Sequence, residues 1–181
     1  MVAPLMALLM LLVLFIRTPA AFGSPALFAA SVAFLTVLPL LGYPLQPFIP
    51  HFKSKGREGQ RTLAMIFAVL GYVLGCALAF AARAPGKLKV IFLAYLFSGV
   101  LVVLLNKLLH VRASGHACGV AGPFAILACF GQWAAVLGLP LLALVWWSSL
   151  KTHRHTLWQL TAGTLVPLAA LAIAVALVPI A

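Results

Sequence analysis

Long apolar runs follow one another along the whole chain, separated by short segments rich in charge, proline or glycine. They predict helices over about 2–16, 25–42, 62–82, 89–108, 116–133, 135–148 and 157–179. A helix needs roughly 20 apolar residues to cross the hydrocarbon core of a bilayer. The pattern therefore predicts an all-α, polytopic bundle of about six or seven transmembrane helices, forming a single membrane domain over residues 1–181.

The composition supports the same interpretation. The chain is 65% hydrophobic and 7% charged, with a mean hydropathy of +1.20, which leaves too little polar surface to cover a water-soluble globule. The first apolar run has no charged start and is followed by Arg17-Thr18-Pro19 rather than by a small-residue cleavage site. We therefore expect it to be the first membrane segment and not a removable signal peptide.

Twelve lysines and arginines stand against one acidic residue, Glu58, giving a formal charge of +11. In a soluble protein this excess would indicate nucleic acid as a partner. Here the cations fall between the predicted helices, so the expected partners are the phosphate headgroups of membrane lipids or an anionic substrate, and no nucleic acid.

Alternating crossings place three loops on one face: 43–61, 107–116 and 148–155. This face holds all five histidines and eight of the cations, against four cations on the other face, which the positive-inside rule assigns to the cytoplasm. Half of those eight lie in the two loops that carry candidate chemistry. Without them the count is four against four, so the orientation stays open.

The segment 106–123 contains the first group of candidate site residues. Arg112, Ser114, the Gly115 backbone and His116 lie within five residues at the start of a predicted helix. Exposed N–H groups, the positive end of the helix dipole and a guanidinium together form a cradle for an oxyanion such as phosphate.

The segment 148–163 contains the second group. His155 follows Arg154 and begins another helix, with Gln159 one turn further along the same face, where its amide would hold one ring nitrogen. Two histidines with fixed cations and no carboxylate pair suit phosphoryl transfer through a phosphohistidine, without a metal or cofactor. The alternative is a metal or haem site built from the histidines and Cys118. It is disfavoured because the histidines are not i, i+4 neighbours and the nearby cations would repel a metal ion.

Ala113-Ser114-Gly115-His116 and the seven-residue spacing from Ser148 to His155 resemble two motifs of the type 2 phosphatidic acid phosphatase superfamily. These are Pro-Ser-Gly-His and Ser-Arg, five residues, His, three residues, Asp. The resemblance covers about residues 90–180. It implies His155 as the nucleophile and His116 as the general acid/base. The same segments also resemble a divergent branch of the superfamily found in small prokaryotic membrane proteins. This second resemblance implies that the protein lies in a prokaryotic cytoplasmic membrane.

The chain departs from the family pattern at Ala113, which replaces Pro, at Ser149, which replaces Arg, and at Gln159, which replaces Asp. The family's first motif, Lys, six residues, Arg-Pro, is also absent as such. We expect other cations to substitute: Lys107 and Arg112 for the first motif, Arg154 or Lys151 for the cation at Ser149, and Arg61 or Lys55 from the loop 43–61. A neutral amide at Gln159 orients a histidine without stabilising its cation.

The sequence thus predicts a metal-independent membrane phosphatase that acts on a lipid phosphate or isoprenyl diphosphate. The predicted phosphate-binding residues are Arg112, Ser114, Gly115, Lys107, Arg154, Ser148 and Arg61. The alternatives are a non-catalytic lipid-phosphate binding or transport protein, and a lipid phosphotransferase.

Overall fold

The computed structural model describes residues 2–108 and 113–180, and within those ranges the chain is helical with no strand. The main helices are α1 (Val2–Arg17), α2 (Pro25–Phe48), α3 (Gly56–Ala81), α4 (Gly86–Leu108), α5 (Gly115–Cys129), α6 (Trp133–Lys151) and α7 (Leu157–Leu177). Single helical turns at Pro19–Ala21 and Pro50–Lys53 lie between them. Helix α2 contains a π turn at Ala33–Val37, and α6 begins with a 3-10 turn at Trp133–Leu137. The predicted all-α bundle is therefore confirmed.

Five of the helices, α2, α3, α4, α6 and α7, are long and apolar enough to cross a membrane, whereas α1 and α5 are shorter. Their outer surfaces carry large apolar side chains in contact with the surroundings: Met65 is 59% exposed and Leu165 is 55% exposed. In water such a surface would be unfavourable, but lipid solvates it. The protein is thus an integral membrane protein.

The tightly packed interior lies around α1, α4 and α5. Met10 and Leu14 of α1, Phe92 of α4 and Leu127 of α5 are all buried in one cluster. Helices α5 and α6 are joined by a tight turn in which Gly131 has a φ of +70°, a conformation that favours glycine. The predicted helices over 116–133 and 135–148 are thus joined at Gly131-Gln132.

The predicted loop over 43–61 is wrong in its bounds at both ends. Helix α2 does not stop at Gly42 but continues through Pro44 to Phe48. Proline near a helix end costs a single hydrogen bond, and the chain beyond it is held by the buried Gln46, whose amide donates to the carbonyl of Phe52 at 2.7 Å.

At the other end of this segment, α3 begins at Gly56 rather than at residue 62. The charges of Arg57, Glu58 and Arg61 predicted a loop because charge is costly inside a bilayer. These residues instead occupy the first turns of α3, where their side chains are exposed. Arg61 is therefore carried on a helix.

Candidate functional site

The two predicted motif segments are joined by a backbone hydrogen bond. Ser114, just before α5, donates its N–H to the carbonyl oxygen of Gln159 in the first turn of α7, at 3.0 Å. The backbones approach this closely because Gly163 of α7 faces them. A Cβ on Gly163 would lie 2.9 Å from the Ser114 nitrogen and closer still to its carbonyl oxygen. The fold thus sets the start of α5 against the start of α7.

The ring of His155 is held by Gln159, as the spacing predicts. Nδ1 of His155 lies 3.0 Å from Oε1 of Gln159. The same oxygen accepts the N–H of Thr156 at 3.4 Å, closing a capping box at the start of α7. Since this oxygen is an acceptor, we assign the proton to Nδ1 of His155. Its Nε2 is then an unprotonated nitrogen with a free lone pair.

The start of α5 presents N–H groups as predicted. Ser114 is its N-cap: its Oγ accepts from the nitrogen of Ala117 at 3.4 Å, and its carbonyl accepts from Cys118 at 3.0 Å. The N–H groups of Gly115 and His116 come before the helix's own hydrogen bonds begin. Ser114 itself is fully buried. Its hydroxyl therefore caps the helix, and the two amides remain as donors at the start of α5.

Both histidines border the same cavity, of about 500 Å³. Its polar end is formed by Arg61, His116 and His155, together with Tyr43 and Gly115. From there it extends between the helices to Tyr72 of α3, and the eleven residues from Arg61 correspond to about 16 Å of helix. The remaining walls are mostly apolar. The cavity thus combines a cationic end with an apolar interior, which is what binding of an amphiphilic anion requires.

His116 lies outside the five long spans and is exposed at the polar end. Loss of solvation among the surrounding groups lowers its pKa, and electrostatic interactions with neighbouring basic groups lower it further, among them Arg61, His155 and Arg154. Because all three groups act on the same imidazole, they share one electrostatic environment. A bound phosphate would offset them.

No protein-family model, curated protein or solved structure matches this chain. The resemblance to the phosphatidic acid phosphatase superfamily therefore stays a prediction carried by the motif residues. Within residues 2–108 and 113–180, no group of three or more histidine, cysteine or acidic side chains is placed to hold a metal ion.

The other predicted residues are placed as follows. Arg154 is exposed in the turn between α6 and α7, where His153 has a φ of +51° and reverses the chain toward the site. Ser148 is exposed on α6 and does not border the cavity. Lys151 lies over the ring of Trp147, with its Nζ 4.8 Å from the ring centroid, and does not border the cavity. Arg112 lies outside the described residues, as does the side chain of Lys107.

Three further residues contribute to the site and are not among the residues predicted from the sequence. Tyr43 lies at the polar end of the cavity but falls within what was predicted as a loop. Gly163 looks like any small residue of a membrane helix, and nothing in the sequence marks its contact with Ser114. Asn106 accepts the N–H of Ala113 at 3.0 Å and so ties the end of α4 to the start of α5. An amide ending an apolar run is the signal that could have revealed it.

Proposed function

We propose that this protein is a membrane lipid phosphatase that works through a phosphohistidine intermediate on His155. The observation that carries the proposal is the shared cavity of His116, His155 and Arg61, cationic at one end and apolar along its length. In a membrane protein, ionisable groups that converge on an internal cavity indicate a functional site. The chemistry that these groups suit is transfer of a phosphoryl group from a lipid.

The first step begins with the phosphate bound by Arg61, Arg154 and the N–H groups of Gly115 and His116. Nε2 of His155 attacks phosphorus and forms an N–P bond while the bond from phosphorus to the lipid oxygen breaks. The His116 imidazolium gives its proton to the departing oxygen, and the product is the lipid alcohol, or the isoprenyl monophosphate when the substrate is a diphosphate. Positive charge around the phosphoryl oxygens stabilises the transition state.

The second step releases phosphate. Neutral His116 removes a proton from a water molecule as its oxygen attacks the phosphohistidine. The N–P bond breaks, the electron pair returns to Nε2 of His155, and inorganic phosphate leaves. Gln159 keeps the ring oriented throughout, because its Oε1 accepts from Nδ1. His116 thus acts first as acid and then as base, and both histidines return to their initial protonation.

The shape of the cavity supports a lipid as the substrate. Its length along α3, about 16 Å, is close to half the roughly 30 Å of a bilayer's hydrocarbon core. A hydrocarbon chain would fill the apolar part while the phosphate occupies the cationic end. Phosphatidic acid, phosphatidylglycerol phosphate and isoprenyl diphosphates all have this form.

The test is phosphate release by the purified protein in EDTA from each of these substrates. We expect release by the wild-type protein and none above background from His155→Ala. The matched control is His153→Ala, which removes a neighbouring exposed imidazole outside the cavity and should leave activity largely intact. Full activity in His155→Ala would contradict the assignment of the nucleophile.

One observation favours a non-catalytic lipid-phosphate binder as the second candidate. The partner of His155 is the neutral amide of Gln159, which also serves the capping box of α7 and is therefore explained by helix stability alone. A binder would bind the intact lipid phosphate and release no inorganic phosphate from it. The His155→Ala variant would bind the lipid phosphate with unchanged affinity.

A further inference from the structure

The membrane-facing surface of the protein has an apolar groove between α3 and α4. It has a volume of about 190 Å³ and is lined entirely by apolar surface. Four of its residues are exposed to the lipid side, with exposures of 43% to 47%: Val69, Val100, Val103 and Leu104. A hydrocarbon chain in the bilayer therefore meets this groove directly.

The groove and the internal cavity share part of their walls. Val69, Tyr72, Gly99 and Val103 border both. Gly99 has no side chain, and a Cβ there would still be 3.9 Å from the Tyr72 ring, which is ordinary contact. At this level the groove and the cavity are therefore adjacent, with Tyr72 bordering both.

Beyond this level the two helices are in direct contact. Further from the site, Gly75 of α3 packs directly against the Phe92 ring of α4. One turn nearer the site, the rings of Tyr72 and Tyr95 lie 5.4 Å apart between centroids. The groove lies from this level toward the site, at Val69, Gly99 and Val103. The groove is thus confined to the half of the α3–α4 pair that leads to the histidines.

We propose that this α3–α4 groove is a lateral portal through which the hydrocarbon chain of a lipid phosphate passes from the bilayer into the cavity. The inference rests on the proposed function, and it adds the route and the chemistry of the occupant. The continuity of the two apolar surfaces supports a hydrocarbon chain, and the cationic end at Arg61 and His116 supports a phosphate attached to it. A water-soluble phosphate would need no apolar route.

The portal is tested by filling it. Gly99→Phe places a ring in the gap beside Tyr72, whereas Gly99→Ala adds a methyl group that fits. The matched control is Val73→Phe, which adds a ring on the lipid-facing side of α3 away from both surfaces. The measurement is kcat/KM for long-chain phosphatidic acid in micelles divided by that for p-nitrophenyl phosphate.

In Gly99→Phe we expect this ratio to fall by about tenfold or more, the effect of keeping about two methylene groups out of an apolar site. Gly99→Ala and Val73→Phe should have ratios close to that of the wild type. An unchanged ratio in Gly99→Phe would overturn the portal even if both substrates are hydrolysed.

A second measurement does not depend on turnover. Phosphatidic acid with a photoreactive diazirine at the end of one chain is incorporated into vesicles with the protein, and labelled residues are mapped by mass spectrometry. Labels at Val69, Gly99 or Val103 that disappear in Gly99→Phe and are weak with the matching phosphatidylcholine probe would support the portal. Labels spread evenly over α2, α6 and α7 would overturn it. Absence of phosphate release from any substrate would instead refute the proposed function.

Discussion

The N–H of Ser114 donates to the carbonyl of Gln159 across 3.0 Å, and this single backbone contact sets the geometry of the site. Ser114 caps α5, whose first turn carries His116, and Gln159 lies in α7 and holds His155. The two histidines are 39 residues apart in the chain, 116 to 155, yet their supports are bonded to each other. The positions of both rings therefore depend on the close approach of α5 and α7.

Gly163→Ala should disrupt that approach. The added methyl group would meet backbone atoms of Ser114, which cannot rotate away as a flexible side chain could. A misplacement of about 1 Å between reacting groups costs on the order of 100-fold in rate, and we expect a loss of this size in phosphate release. The control is Gly99→Ala, whose methyl group meets nothing closer than 3.9 Å. Equal activity of the two variants, in protein with an unchanged thermal transition, would contradict the role of the contact.

Gln159→Glu should accelerate formation of the phosphohistidine. Glutamate preserves the capping box with Thr156 and adds a carboxylate that stabilises positive charge on His155. Changes in such supporting groups typically alter activity about 10- to 100-fold, and we expect an increase at the lower end of that range. Gln159→Leu removes both roles and should lower the rate. Rapid-quench measurement of the first turnover gives the rate of phosphohistidine formation in both variants. A rate in Gln159→Glu below that of the wild type would contradict the expectation that a carboxylate stabilises the charge on His155.

The pH dependence should report His116. Its pKa is lowered, first by loss of solvation and then by nearby positive charges that include Arg61. As the acid in the first step, His116 must be protonated, so kcat/KM should fall as the pH rises through that pKa, on the acid side of the ordinary histidine value. Arg61→Gln removes one of those charges, raises the pKa and should move this descending limb to higher pH.

Arg57→Gln is the matched control for that shift. Arg57 is an exposed cation one turn earlier on α3 and does not border the cavity. The descending limb of the pH profile of Arg57→Gln should coincide with that of the wild type, whatever the overall rate of the variant. If the descending limb moves equally in Arg61→Gln and Arg57→Gln, the shift reflects the net charge of the protein and not the position of Arg61 at the site.

The fold was largely predictable because bilayer solvent imposes a strong pattern. Apolar runs such as 89–108 map directly onto a helix, here Gly86–Leu108. The errors fall where α2 and α3 pass beyond the apolar region. There, Pro44 and Arg61 lie in helical turns, and hydropathy alone does not distinguish such a turn from a loop.

The site was predictable only in its local parts. The four-residue spacing from His155 to Gln159 determines a contact within one helical turn, and that contact is present. The contributions of Tyr43, Asn106 and Gly163 depend on how separate helices pack, which no local spacing encodes. The burial of Ser114 likewise follows from the α5–α7 approach.

The most direct test of the account is to trap the intermediate. Wild-type protein is mixed with phosphatidic acid in EDTA, quenched in alkaline denaturant that preserves phosphohistidine, and its peptides are analysed by mass spectrometry. The account predicts one phosphoryl group on His155, absent in His155→Ala and retained longer in His116→Ala with an aryl phosphate as substrate, since that variant lacks the base for hydrolysis. Phosphate release with no adduct on His155, or an adduct on a different residue, would contradict it.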